Sequence, residues 1–290
     1  MRQQAYGYAA VTLFCLGIAP VAQAELKPIS DEKMGEVTGQ AFMQIENIPG
    51  QAHEFTRMTL TMDVETRMNV DDVQAGEIDG GADFAARHVA LGHIARNDGE
   101  QFNGRTYSAG DTVHFEAFKP YIELAEDAEG LLAGFRMGFG QARGSVSSLT
   151  SSFSGDIGLK LVDGSGQEFD ATLFDDNTQA TNYRASHIGI DDGTANCAEG
   201  TNCAPLTHLQ SIFVGEEGAD GVTDFTNDFF IGFQREGVDW QSPDGANVIN
   251  AGKGVFINLP TSMKVQMSQL IGQGVDRLQT HRDDMGTQLF

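Results

Sequence analysis

The chain has 290 residues, of which 18 are Lys or Arg and 41 are Asp or Glu, so its formal net charge is −23. This charge repels nucleic acid phosphates and anionic lipid headgroups, which excludes both as default binding partners. With 40% hydrophobic residues, the chain has enough apolar material to form a packed core.

The first residues have the pattern of a secretory signal. Arg2 precedes an apolar run over residues 9–21, and Ala22-Gln23-Ala24 supplies the small residues that signal peptidase requires. The run is too short to span a bilayer. We therefore predict that residues 1–24 are a signal peptide and that the mature chain has no transmembrane helix. Its predicted location is the periplasm, outer membrane or cell surface of a Gram-negative bacterium.

Residues 25–41 have the pattern of a short helix. Ser30 is a good N-cap, Met34 and Val37 fall on one helical face, and Gly39 can end the helix in a left-handed conformation. The segment is predicted to be an N-terminal helical motif, docked on the fold or used in recognition.

The same segment resembles a known group of sequences. Residues 26–41, LKPISDEKMGEVTGQA, are similar to the opening of uncharacterised exported Gram-negative proteins. The mature chains of that group begin with a Leu/Ser-Asp-Glu/Val-Thr-Gly-Gln-Ala pattern, and some are labelled as fimbrial or filament-locus proteins. The resemblance implies an association with such assemblies and implies no catalytic residues.

From residue 56 to residue 70 apolar and polar residues alternate, which predicts a long strand, or two strands joined at a bend, with one buried face. The polar face, which begins at Arg57, is predicted to be solvated. The apolar positions are predicted to form a core stripe rather than a set of soft metal ligands. They are Met58, Leu60, Met62, Val64, Met68 and Val70.

Short apolar or alternating runs recur through residues 42–275, separated by turn sequences such as Asp98-Gly99, Asp163-Gly164-Ser165-Gly166 and Asp244-Gly245. About ten strands are predicted from these runs. The predicted fold class is mainly β, with residues 42–275 forming a single large β-sandwich or a curved, partly stacked β-sheet. No fixed-period repeat establishes a solenoid.

An outer-membrane β-barrel is the less favoured architecture. Phe290 is the terminal residue that many such barrels carry, but one Trp and five Tyr are too few for two aromatic girdles. Residues 276–290 lack alternation and carry several charges, so they are predicted to be a polar C-terminal tail.

Two cysteines remain after removal of the signal peptide. Cys197 and Cys203 flank the sequence Ala-Glu-Gly-Thr-Asn in a loop-like stretch. In an oxidising compartment they are predicted to form one local disulfide, since no second cysteine pair or nearby histidine completes a zinc site.

Calcium is the one cofactor that the sequence suggests. A Gly-rich segment supplies several carboxylates, and carboxylate oxygens are preferred calcium ligands. No EF-hand loop or Gly-Gly-x-Gly-x-Asp repeat accompanies them, so solvated acidic loops are the favoured interpretation and no cofactor is predicted. The candidates are Glu216, Glu217, Asp220, Asp224 and Asp228.

The sequence contains no Gly-x-Ser-x-Gly elbow, His-Glu-x-x-His helix, phosphate-binding loop or dinucleotide fingerprint in context. The seven histidines are scattered. We therefore predict no catalytic residues and no enzymatic activity.

The function predicted from sequence is structural or adhesive, as a component or accessory of a cell-surface or outer-membrane assembly such as a filament. Its partners would be envelope proteins, with self-association through strand edges. The alternative is a periplasmic or outer-membrane accessory whose Met-rich and Phe-rich stripes line a cavity for an apolar small molecule.

Overall fold

The computed structural model describes residues 42–77, 80–191, 193, 197–219 and 222–280. The predicted signal peptide, the predicted helical motif at residues 25–41, Asp220 and residues 281–290 lie outside this part of the chain. Within it the mainly β fold is confirmed, with 25 strands, one 3₁₀ turn at Leu206–His208 and one short helix, α1, at Met267–Gly272. The strands are more numerous than the sequence pattern predicted.

The strand bounds in chain order begin with β1 Met43–Pro49, β2 Glu54–Leu60, β3 Asp63–Thr66, β4 Met68–Ala75, β5 Phe84–Leu91, β6 His93–Ile94, β7 Glu100–Phe102, β8 Arg105–Tyr107 and β9 Thr112–Val113. They continue with β10 Phe115–Glu126, β11 Leu132–Ser152, β12 Gly155–Ile157, β13 Lys160–Val162, β14 Glu168–Asp170, β15 Thr172–Phe174, β16 His187–Gly189 and β17 Cys203–Pro205. The last are β18 Ser211–Val214, β19 Glu216–Glu217, β20 Thr223–Asp224, β21 Phe230–Gln234, β22 Val238–Gln241, β23 Val248–Ala251, β24 Gly254–Leu259 and β25 Lys264–Gln266.

One 11-stranded sheet organises the fold. Its main path runs β1-β2-β10-β11-β21-β24-β12, and all pairs on this path are antiparallel except the parallel pair β12–β24. Smaller two- and three-stranded sheets, including the hairpin β22–β23, pack around it. Strand β1 lies at one end of the path, so its outer edge has no partner strand within the described residues.

The 21-residue strand β11 belongs to two parts of this sheet. Its residues 132–143 pair with β10 and β21, in what we call the first wing, formed by β1, β2, β10, β21 and β24 with this half of β11. From residue 144 onward β11 pairs with β5 and β18, which with β4 form the second wing.

Gly144 lies where β11 passes from one wing to the other. Its φ is 144°, a conformation that L side chains rarely adopt, and a Cβ at this position would meet Phe115 at 2.8 Å. The bend of β11 therefore requires glycine on both conformational and steric grounds.

The burial predicted for residues 56–70 is wrong at several positions. This run forms parts of three strands, and Arg57, expected in solvent, is 5% exposed, whereas Met62 and Met68, expected in the core, are 38% and 43% exposed. The reason is that hairpin β22–β23 covers the polar face of the first wing: Trp240 packs on Phe55 with ring centroids 5.6 Å apart.

Beneath this hairpin, oppositely charged side chains sit directly opposite one another on adjacent strands. The register places Arg57 on β2 opposite Glu123 on β10, and Glu123 opposite Arg136 on β11. Arg57 Nε donates to Glu123 Oε2, and Arg136 Nη2 donates to Glu123 Oε1 at 3.1 Å. Glu123 and Arg136 are 0% exposed, so this charge ladder is part of the interior.

Arg136 also lies among aromatic rings. Its guanidinium carbon is 4.9 Å from the ring centroids of Phe230 and Trp240 and 5.3 Å from that of Tyr121. These ring faces offer the buried cation an electrostatic partner in addition to Glu123. A second and larger apolar core includes Phe153, Leu161, Ile188 and Leu270.

Candidate apolar binding groove

A groove of about 600 Å³ lies between the two wings. Its walls are strand faces that carry the apolar residues of sequences in which apolar and polar residues alternate. The lining residues are Met43, Met58, Leu60, Met68, Phe84, Val89, Leu91, Pro120, Tyr121, Ile122, Met137, Gly138, Phe139, Val146, Ser148, Phe229, Phe230, Ile231, Ile257 and Leu259.

One row of side chains crosses the first wing and forms one wall of the groove. The register pairs Ile122 with both Met58 and Met137, and it pairs Ile231 with both Met137 and Ile257. Because paired residues on adjacent strands share a face, these five side chains form a continuous apolar surface across five strands.

A second row crosses the other wing and forms the opposite wall. Val146 on the second half of β11 pairs with Leu91 on β5, and Leu91 pairs with Met68 on β4. Strand β11 thus contributes Met137 to one wall and Val146 to the other. The bend at Gly144 is what turns these two faces toward one cavity.

The lining residues of the groove range from buried to exposed. Ile257, next to the apolar core, is 8% exposed, whereas Met137 and Ile122 are 41% and 43% exposed and Met43, on the outermost strand, is 49% exposed. Exposure of apolar side chains to water is unfavourable, and a contiguous exposed apolar surface commonly marks a binding site.

None of the twenty lining residues carries a charge. Ser148 is polar, but its hydroxyl is engaged with Thr150 Oγ1 at 2.8 Å. The ring of Tyr121 lies on the opposite face of the first wing, with the guanidinium carbons of Arg57 and Arg136 at 5.2 and 5.3 Å from its centroid. The groove therefore offers dispersion contacts and removal of apolar surface from water, and no ion pair.

The calcium candidates do not form one site among the described residues. Glu216 pairs with Asp224 across the two-stranded β19–β20 ladder. Asp228 instead accepts hydrogen bonds from Ser242 Oγ and from Asn247 Nδ2, the latter at 3.0 Å. Within the described ranges no group of three His, Cys, Asp or Glu side chains could hold a metal ion, and Asp220 lies outside them.

One histidine joins a buried polar chain that the sequence did not reveal. His93 Nδ1 is 2.8 Å from Ser145 Oγ, and His93 Nε2 is 3.2 Å from Glu100 Oε1. Ser145 and His93 are 0% and 1% exposed, so a substrate does not reach the serine oxygen. Burial lowers the pKa of His93, against an opposing effect of Glu100. This series of hydrogen-bonded side chains connects β6 to the bend of β11.

Cys197 and Cys203 lie at disulfide distance, with their Cα atoms 5.5 Å apart. Both side chains pack with Phe174 in a small cluster separate from the groove. This distance fits the local disulfide that the sequence predicted, and the pair takes no part in the candidate site.

Comparisons with protein-family models, with curated proteins and with solved structures return no match to this chain. Among the described residues, no helix is both long enough and apolar enough to cross a membrane.

Sequence reasoning predicted part of the groove and missed the rest. The sequence predicts a core stripe from Met58 to Met68, and its alternative function places Met-rich and Phe-rich stripes in the wall of an apolar cavity. The contributions of β5 and β24 carried no local signal, because Leu91 and Ile257 become wall residues only through pairing with distant strands.

Proposed function

We propose that this chain binds an uncharged, elongated apolar molecule, such as one with a long alkyl chain, in the groove between the two wings. The observation that carries the proposal is a cavity of about 600 Å³ whose lining contains no charged side chain and whose walls are partly exposed. Small-molecule sites typically have volumes of about 300 to 1,000 Å³ and predominantly apolar linings.

The lining chemistry limits the class of ligand. A charged headgroup inside the groove would lose its hydration without gaining an ion pair, so the groove favours neutral ligands or ligands whose polar end remains in solvent. Affinity should then rise with chain length, by about 0.8 kcal/mol for each buried methylene, which corresponds to roughly a fourfold change in Kd.

A binding titration tests this proposal. Fatty alcohols from decanol to hexadecanol would be titrated against the protein by displacement of an uncharged pyrene-labelled alcohol. We expect affinity to increase steadily with each methylene until the groove is filled. A Kd that is independent of chain length would contradict the proposal.

A matched pair of variants locates the site. Ile122 lines the groove and is 43% exposed, whereas Leu131 is 55% exposed and does not line it. Because both side chains reach solvent, Ile122→Lys and Leu131→Lys should both fold. We expect Ile122→Lys to weaken alcohol binding at least tenfold and Leu131→Lys to leave it unchanged. Equal effects of the two substitutions would rule out the groove as the site.

A second candidate function is the assembly role predicted from sequence, which the position of β1 favours. Among the residues that the structure describes, strand β1 is the terminal strand of the large sheet, and its Met43 and Ile45 are 49% and 59% exposed. An open edge with apolar side chains can add a strand from another chain. Export to the cell envelope remains part of this proposal.

Sedimentation over a range of protein concentrations tests the assembly role. Ile45→Lys places a charge on the open edge, and Val248→Lys, at a site that is 65% exposed on the hairpin strand β23, serves as its control. We expect only Ile45→Lys to reduce association. A wild-type chain that stays monomeric alone and with an envelope extract would argue against an assembly role.

A further inference from the structure

Methionines are unusually concentrated on the open side of the groove. Met43, Met68 and Met137 line it and are 49%, 43% and 41% exposed, and Met58 lies between them on β2. Thioether sulfurs that solvent reaches are accessible to oxidants, whereas buried ones are protected.

The same chain contains methionines that serve as internal references. Met62 is 38% exposed but does not line the groove. Met267, on helix α1, is 5% exposed and belongs to the apolar core. Any difference in oxidation among these positions can therefore be assigned to exposure or to the groove itself.

Oxidation would change the chemistry of the walls. A hydroperoxide transfers its terminal oxygen to the methionine sulfur: the O–O bond breaks, an S–O bond forms, the sulfur loses two electrons, and hydrogen peroxide is reduced to water. The product sulfoxide is polar and accepts strong hydrogen bonds. A bound alkyl chain would have to desolvate that oxygen without supplying a donor, which is unfavourable.

We propose that Met43, Met68 and Met137 are sites of oxidation by peroxides, and that their conversion to sulfoxides reduces the affinity of the groove for apolar ligands. This inference rests on the proposed function of the groove. Cys197 and Cys203, at disulfide distance, suit a chain that works in an oxidising compartment.

Peptide mapping by mass spectrometry tests the first half of the proposal. The full chain would be treated with hydrogen peroxide for increasing times, with and without saturating hexadecanol. Without the alcohol, we expect Met43, Met62, Met68 and Met137 to be oxidised at least tenfold faster than Met267. With the alcohol, oxidation of the three groove methionines should slow while that of Met62 is unchanged. Oxidation of Met267 at the rate of Met43 would overturn the inference.

Titration of the pyrene-labelled alcohol before and after oxidation tests the second half. We expect oxidation to weaken binding by the wild type at least tenfold. The variant M43L/M68L/M137L keeps the volume and apolar character of the walls and should bind the probe equally well before and after treatment.

The outcomes separate this inference from the proposed function. Selective oxidation with unchanged probe affinity would overturn the inference and leave the apolar site intact. Failure of the unoxidised protein to bind the probe would instead overturn the proposed function, and with it any effect of oxidation on binding.

Discussion

Strands β2, β10 and β11 carry charged residues on one face and apolar residues on the other. The charged face is buried and the apolar face is partly exposed, which is the reverse of the expected burial. On one face Arg57, Glu123 and Arg136 are almost fully buried beneath hairpin β22–β23. On the other face Ile122 and Met137 remain more than 40% exposed. Each apolar position is the immediate sequence neighbour of a charged one. Burial in this sheet therefore depends on which element covers a face, and an ion-paired, aromatic-lined face can serve as interior.

The buried face should be the one on which folding depends. Replacing Glu123 by Gln leaves two buried guanidinium groups without their counter-charge, so we expect the free energy of unfolding to fall by about 3–5 kcal/mol. Denaturant titration measures this change. Glu126→Gln, at an exposed position on the same strand, should stay within about 0.5 kcal/mol. Similar losses in both variants would mean that the ladder has no special role.

The ionisation of Tyr121 allows the same face to be tested through the pH dependence of the unfolding free energy. Burial raises the pKa of Tyr121 to about 12, with smaller effects from Arg136 and the other nearby charges. Because the unfolded phenol ionises near pH 10, its contribution to stability is present below that pH and is lost as pH rises toward 12.

Tyr121→Phe should remove this pH dependence. The hydroxyl has no hydrogen-bond partner among the described residues, so the variant should match the wild type within about 1 kcal/mol at neutral pH. Near pH 12 it should be more stable than the wild type by up to about 3 kcal/mol. Parallel curves of unfolding free energy against pH would contradict this.

A substitution on the groove face should affect ligand binding more than stability. Ile122→Ser shortens a side chain that is already 43% exposed, so we expect a loss of at most about 1 kcal/mol in unfolding free energy. Alcohol affinity should nevertheless fall. If stability falls as much as in Glu123→Gln, the groove face is a core surface and the contrast between the faces is lost.

The smallest effect is expected at the solvent end of the ladder. Glu46 on β1 lies opposite Arg57 but is only half-buried, so Glu46→Gln should change the unfolding free energy by less than about 0.5 kcal/mol. A loss comparable to that of Glu123→Gln would extend the buried network to the sheet edge.

Local signals predicted strands and turns but not the number of strands. Period-two alternation around residues 56–70 indicated strands, and Asp163-Gly164-Ser165-Gly166 indicated a turn. The structure confirms the turn: Asp163 Oδ1 accepts the backbone N–H groups of Ser165 and Gln167 at 2.8 and 2.9 Å.

The burial of each face and the site itself could not be predicted in the same way. Alternation separates two faces without saying which one another element will cover. Arg57 reads as a solvated residue until Glu123, 66 positions away in sequence, is placed beside it. The groove likewise depends on Met68, Val146 and Ile257, which are brought to one cavity only by the pairing of distant strands.

The bend at Gly144 has a consequence for the kinetics of ligand capture. Strand β11 runs through both walls, and residues of both walls belong to or pack against the same apolar core, so we expect that core to maintain their separation. An empty cleft of this kind keeps its width, so a ligand would meet a preorganised surface, and little free energy would be lost to rearrangement. Association should then proceed in one concentration-dependent phase, without a slow opening step.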